Sequence, residues 1–273
     1  MNVLVADSVT TFGADVRGRA ALAASHAGTY AAYLAAKAAV GAVILCDAGI
    51  GRERAGVSGL AYLDRSGVPA AAIGYRSARI GDGDDCARRG VLSCVNVQAG
   101  VLGLRAGMTA AEAMEILSTA SLTPAPAPPP QREARQRLSE AEAPGVQVHA
   151  MDSAALITAD DRGHVVLTGS HGALLGGRPE TAAKHPVFAA VYNDAGFGVD
   201  DAGISRLPAL EARGIAGATV SAWSARIGDG LSTFRDGYVS AVNERAAACG
   251  AKLGISAREL VKLFVAARGK ELG

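Results

Sequence analysis

The heptapeptide Ser-Ala-Arg-Ile-Gly-Asp-Gly occurs twice, at Ser77–Gly83 and again at Ser224–Gly230. The match extends well beyond these letters. Asp7-Ser8 recurs as Asp152-Ser153, Arg17-Gly18 as Arg162-Gly163 and Ser25-His26 as Ser170-His171, all at one constant spacing. A two-residue insertion then lengthens the spacing, which holds through Asp47-Ala48-Gly49 with Asp194-Ala195-Gly196 and ends at Val95-Asn96 with Val242-Asn243. A chain that repeats itself at this period is expected to contain one structural unit copied in tandem. Two copies are too few for a solenoid, so the expectation is two similar lobes related by a pseudo-twofold axis.

The repeat sets the expected domains: residues 1–121 as the first lobe, 122–148 as a linker and 149–273 as the second lobe. The linker contains Thr123-Pro-Ala-Pro-Ala-Pro-Pro-Pro130, an extended proline run, followed by a polar stretch that reads as helical. Within each lobe short apolar runs alternate with alanine-rich helical ones. In the first, Val3–Val9 and Arg19–Ala24 read as strands joined in a hairpin, Gly28–Ala39 as a helix and Ala42–Cys46 as a strand. The fold class expected is therefore α/β, with a parallel or mixed sheet flanked by helices in each lobe.

Composition limits the partners. With 27 basic and 26 acidic residues the formal net charge is +1, which lacks the one-sided field of a nucleic-acid binder. The most apolar region, Ala20–Cys46, is interrupted by Ser25, His26, Thr29 and Lys37 and reads poorly as a membrane span. No secretion signal is recognised at the start of the sequence, so a cytoplasmic protein is expected. The four cysteines lack metal or dithiol spacing and read as reduced thiols. Gly49, Gly51 and Gly56 do not form the dinucleotide fingerprint, so no cofactor is expected and no resident metal either.

Identity between the copies concentrates at expected strand ends and turns, where ligands of open α/β sheets bind. Ser25-His26 and Ser170-His171 sit where a strand hands over to a helix. The serines suit helix caps and substrate contacts, and the histidines suit general acid or base roles. The plainer alternative is a cap beside a hydrogen-bonded histidine. Asp47 and Asp194 follow apolar strands and are candidates to orient the imidazoles, or else to open the next loop as Asx-turns. In the heptapeptide, Arg79 and Arg226 present planar forks for a substrate carboxylate, with Asp82 and Asp229 to orient them. The alternative is an internal ion pair that closes a glycine turn.

These residues together point to an enzyme acting on a small carboxylate- or amide-bearing metabolite, nominally a hydrolase. An isomerase or lyase working by proton abstraction uses the same parts, and a non-catalytic small-molecule binding protein is the other alternative. A divalent-metal site at His26, Asp47 and Asp82 ranks third, because each lobe supplies one matched histidine. A homo-oligomer is compatible with the sequence. Trp223 stands where the first copy has Arg76, and Asn193 where it has Cys46, so the two lobes are not expected to be equivalent in function.

Overall fold

In the computed structural model residues 3–273 are described, so the first two residues of the expected first lobe lie outside the described residues. The N-terminal half contains β1 (Leu4–Ala6), β2 (Ala20–His26), β3 (Ala42–Cys46), β4 (Ala70–Ile73) and β5 (Leu92–Val95), in that spatial order. Its helices are α1 (Thr29–Lys37), α2 (Ser58–Arg65), α3 (Gly83–Arg89), α4 (Val97–Val101) and α5 (Ala110–Thr119). The C-terminal half contains β6 (Arg135–Arg137), β7 (Val148–Met151), β8 (Val165–His171), β9 (Ala189–Asn193), β10 (Ala216–Val220) and β11 (Val239–Val242). These form a second sheet in unbroken order from β11 to β6, with α6 (Arg206–Ala212), α7 (Gly230–Asp236), α8 (Glu244–Ala248) and α9 (Ala257–Leu272).

Both sheets are mixed. The strands β1 to β4 run parallel and β5 antiparallel; β7 to β10 run parallel, with β6 and β11 antiparallel at the edges. Parallel strands need covering on both faces, and the pattern of β2 and β3 provides for it. Ala20, Leu22, Ala24, Ala42, Ile44 and Cys46 enter one apolar cluster, while Ala21, Ala23, Val43 and Leu45 enter the one on the opposite face. Alanine is a modest strand former, so burial between two layers holds these strands rather than intrinsic propensity. Leu22, Ile44, Leu45 and Leu167 are fully buried, each contributing roughly 1.5–3 kcal/mol.

The sheets do not fold in isolation. Ala173, Ala195, Ala202 and Ile227 of the C-terminal half join the cluster built on β2 and β3. Backbone bonds cross as well: Arg52 N–H donates to Ala222 O at 2.7 Å and Val199 N–H donates to Tyr75 O at 2.9 Å. Gly49 (φ 76°) and Gly196 (φ 78°) meet backbone to backbone, each Cβ position lying 3.0 Å from the other's Cα. Positive φ and this close approach together require glycine at both places.

Three local expectations are corrected. The strands β1 and β2 do not form a hairpin: they are parallel, Leu4 opposite Ala21, and the chain crosses between them through 3-10 turns at Val9–Thr11 and Ala14–Val16. The polar stretch after the proline run is not helical at Arg135–Arg137, where β6 adds an edge strand to the second sheet. Ser25 and Ser170 are not helix caps. They lie inside β2 and β8, α1 is capped by Gly28, and a loop with a 3-10 turn at Pro179–Ala182 follows β8.

Candidate functional site

The register of β2 against β3 shifts between Leu22 and His26, and that of β8 against β9 between Leu167 and His171. Such a break in the ladder re-aims the side chains that follow it. Here those are Ser25-His26 and Ser170-His171, and all four line one cavity of about 390 Å³ that also takes Ser8, Asp152, Lys184 and Arg206 into its wall. Its volume suits a small metabolite. Each serine oxygen accepts an N–H from the turn beside it, Val9 N to Ser25 Oγ at 3.0 Å and Ala154 N to Ser170 Oγ at 2.9 Å.

The heptapeptide braces these bends. Gly81 N–H donates to Ala24 O at 2.8 Å and Gly228 N–H to Gly169 O at 2.7 Å, in each case on the carbonyl just before the Ser-His pair. The φ angles of 85° and 83° at these positions are ones glycine adopts freely. Asp82 and Asp229 cap α3 and α7 through the N–H groups of Asp85 and Ser232. Next along the chain, Gly83 N–H donates to Asp7 Oδ1 at 3.0 Å and Gly230 N–H to Asp152 Oδ1 at 3.2 Å, tying the helix starts to the ends of the neighbouring strands.

The imidazoles are held alike. His26 Nδ1 accepts Gly28 N–H at 3.1 Å, and His171 Nδ1 accepts Ala173 N–H at 3.2 Å. A neutral ring whose Nδ1 accepts a hydrogen carries its own on Nε2. Burial lowers the His26 pKa to about 4. For His171 burial, then Arg206, then His26 hold it well below the ordinary value. At neutral pH both rings are uncharged N–H donors. The lone pair on Nδ1 of each ring is engaged by the backbone, which leaves Nε2–H as the ring's remaining polar group.

The remaining candidates lie elsewhere. Asp47 Oδ1 accepts the N–H groups of Gly49 and Tyr75 at 3.1 and 2.9 Å, and Asp194 Oδ1 those of Gly196 and Ala222, both at 2.8 Å. These bonds close the loops after β3 and β9 as Asx-turns, and neither carboxylate bonds to a histidine. Burial raises the pKa of both against the pull of these bonds. Arg79 pairs with Asp82, Asp85 and Asp200, while Arg226 pairs with Asp229 and Glu53. Neither guanidinium lines the cavity, nor do Asp82 and Asp229. The structure thus brings together Ser25, His26, Ser170 and His171, and separates Asp47, Asp194, Arg79, Arg226, Asp82 and Asp229 from them.

Cys46 faces the core against Cys86, Sγ to Sγ at 3.5 Å, and that contact, with burial, raises its pKa well above the ordinary value. It is no nucleophile for the cavity. Among the described residues, no group of three or more His, Cys, Asp and Glu side chains is placed to hold a metal ion. No helix among them is long and apolar enough to cross a membrane. The cavity residues that went unread in the sequence include Arg206, which donates to Ala173 O, Thr181 O and Ala182 O, and Glu133, which hydrogen-bonds to Ser153. Neither has an identical counterpart in the other copy, so comparing the copies could not single them out.

In comparisons with known proteins, no family model matches this sequence, no curated protein matches it, and no solved structure matches it.

Proposed function

We propose that the chain is an enzyme acting on a small metabolite that bears a carboxylate or an amide, bound between two duplicated lobes related by a pseudo-twofold axis. The observation that carries this reading is the matched pair of neutral imidazoles, His26 and His171, each locked by a backbone N–H on Nδ1 and each lining the same cavity. Reciprocal bonds support the symmetry: Arg52 to Ala222 answers Val199 to Tyr75, and Arg79 to Asp200 answers Arg226 to Glu53.

Two N–H donors on fixed rings that line one space suit an oxygen on which negative charge develops during reaction. That arrangement stabilises the transition state of hydrolysis and of proton abstraction alike. Lys184 and Arg206 in the cavity wall supply positive charge for an anionic group, the part first given to Arg79 and Arg226. A site that merely clamps an anion gains more from charged imidazolium, whereas here burial keeps the rings neutral.

The test is a thermal-shift screen of small carboxylates and amides, followed by turnover measurements on those that bind. Removing a donor with His26→Ala or His171→Ala is expected to slow turnover about 100-fold or more. The variants His26→Gln and His171→Gln retain an N–H near the Nε2 position and should recover most of that loss. Turnover unchanged in the alanine variants sinks the proposal.

A further inference from the structure

On that reading the two imidazoles supply hydrogen bonds to an oxygen, and neither is free to remove a proton, since the one lone pair of each neutral ring, on Nδ1, is engaged by a backbone N–H. A base must come from the carboxyl groups in the wall: Glu133, Asp152 and Glu180. Asp152 is committed to the backbone, accepting Ala134 N–H at 2.7 Å on Oδ2 and Gly230 N–H at 3.2 Å on Oδ1. Glu180 has a 72% exposed side chain that lies 4.0 Å from Arg178. Glu133 is half-buried, lines the cavity beside Ser153 and carries no ion pair among the described residues.

Resting on the function proposed above, the geometry points to Glu133 as the general base of this site, removing a proton from the carbon next to the carbonyl of a small oxo acid. His26 and His171 hold the carbonyl oxygen through Nε2–H, and Lys184 and Arg206 balance the substrate carboxylate. A neutral imidazole paired with a carboxylate base is a chemically sufficient set for enolisation. Glu133 takes the proton; the C–H electron pair forms the C=C bond while the carbonyl π pair moves onto oxygen, where the two N–H groups hold the charge. Return of the proton from Glu133 to carbon regenerates the carbonyl compound, with nothing oxidised or reduced.

The surroundings of Glu133 suit the role. Burial, then the nearby charge of Asp152, raises its pKa to about 7 against the Ser153 hydrogen bond, and Tyr30 is the other titrating neighbour it influences. A base titrating near neutrality both accepts and returns a proton readily.

The experiment follows deuterium uptake from D2O at C3 of pyruvate, 2-oxobutanoate and 2-oxoglutarate by proton NMR, with spontaneous exchange subtracted, alongside thermal shifts by the same acids. Wild-type protein is expected to accelerate exchange of at least one acid, with a rate that rises through about pH 7. Glu133→Gln should slow it about 100-fold or more while the thermal shift persists. Glu133→Asp, which retains a carboxylate set back by one methylene, should fall between the two. Exchange at the wild-type rate in Glu133→Gln overturns the assignment of the base. Acids that shift the melting temperature but gain no exchange from the wild type overturn the reaction, and no shift with any of the three overturns the oxo-acid class. Exchange unaffected by His26→Ala and His171→Ala instead overturns the underlying reading of the site.

Discussion

At the scale of single residues, Asp47 and Asp194 separate a structural carboxylate from a chemical one. Each holds two backbone N–H groups on a single oxygen, Oδ1. Asparagine preserves that oxygen, and burial already disfavours the negative charge. Asp47→Asn is therefore expected to cost about 1 kcal/mol or less, whereas Asp47→Ala strands two donors and should cost about 2–4 kcal/mol in urea unfolding. Ligand-induced thermal shifts should survive Asp47→Asn. A large loss of binding there, with stability intact, would return Asp47 to the chemistry. Arg79 yields a parallel expectation: Asp82 and Asp200 are partly exposed and the buried Asp85 keeps Arg88 and Arg89, so Arg79→Ala should cost about 0–1 kcal/mol, shrinking further in high salt, and leave the cavity's affinity unchanged.

At the scale of elements, the heptapeptide explains its own repetition. One stretch caps a helix, anchors that helix to a strand end and pins the bend that turns Ser-His toward the cavity. Removing the cap with Asp82→Ala is expected to cost about 1 kcal/mol, and amide exchange in α3 should rise ahead of that in α5. Much of this level was legible in the sequence: β3 falls where the apolar run Ala42–Cys46 placed it, and Asn96 and Asn243 cap α4 and α8 as turn chemistry suggests. The failures share a cause. Helix α3, Gly-Asp-Asp-Cys-Ala-Arg-Arg, and strand β6, Arg-Gln-Arg, carry almost no apolar periodicity, being held by a cap and by edge pairing. The hairpin expectation failed because sequence neighbours were assumed to pair directly, while a parallel pair requires a crossover. For the site, the Ser-His pairs were legible because the dipeptide recurs in the repeated stretches of the sequence. Glu133 was not, because it lies outside those stretches.

Across the whole molecule, the cavity makes stability depend on pH in two opposing ways. His26 falls from 6.5 to about 4 on folding, so the unfolded chain binds more protons in that window, and stability is full above pH 6.5 and lost as pH falls toward 4. His171 acts in the same direction. Glu133 rises from 4.5 to about 7, so its contribution is present below pH 4.5 and lost as pH rises through about 7. Between pH 4.5 and 6.5 the contributions partly cancel. Chemical denaturation of Glu133→Gln should therefore show a steeper acid loss than the wild type, together with greater stability at pH 8. His26→Gln should flatten the acid side. Identical profiles in all three proteins would mean that these groups do not change environment on folding.

The contact of Gly49 with Gly196 leaves no side chain to cushion the meeting of the two halves. The spacing of the two halves at this joint is thus set by bare main chain, as the throat of a caliper is set by its beam. A change in the cavity's size is therefore expected at side chains of its wall, such as Leu34 or Leu175, where one half can change without the agreement of the other, and not at this joint.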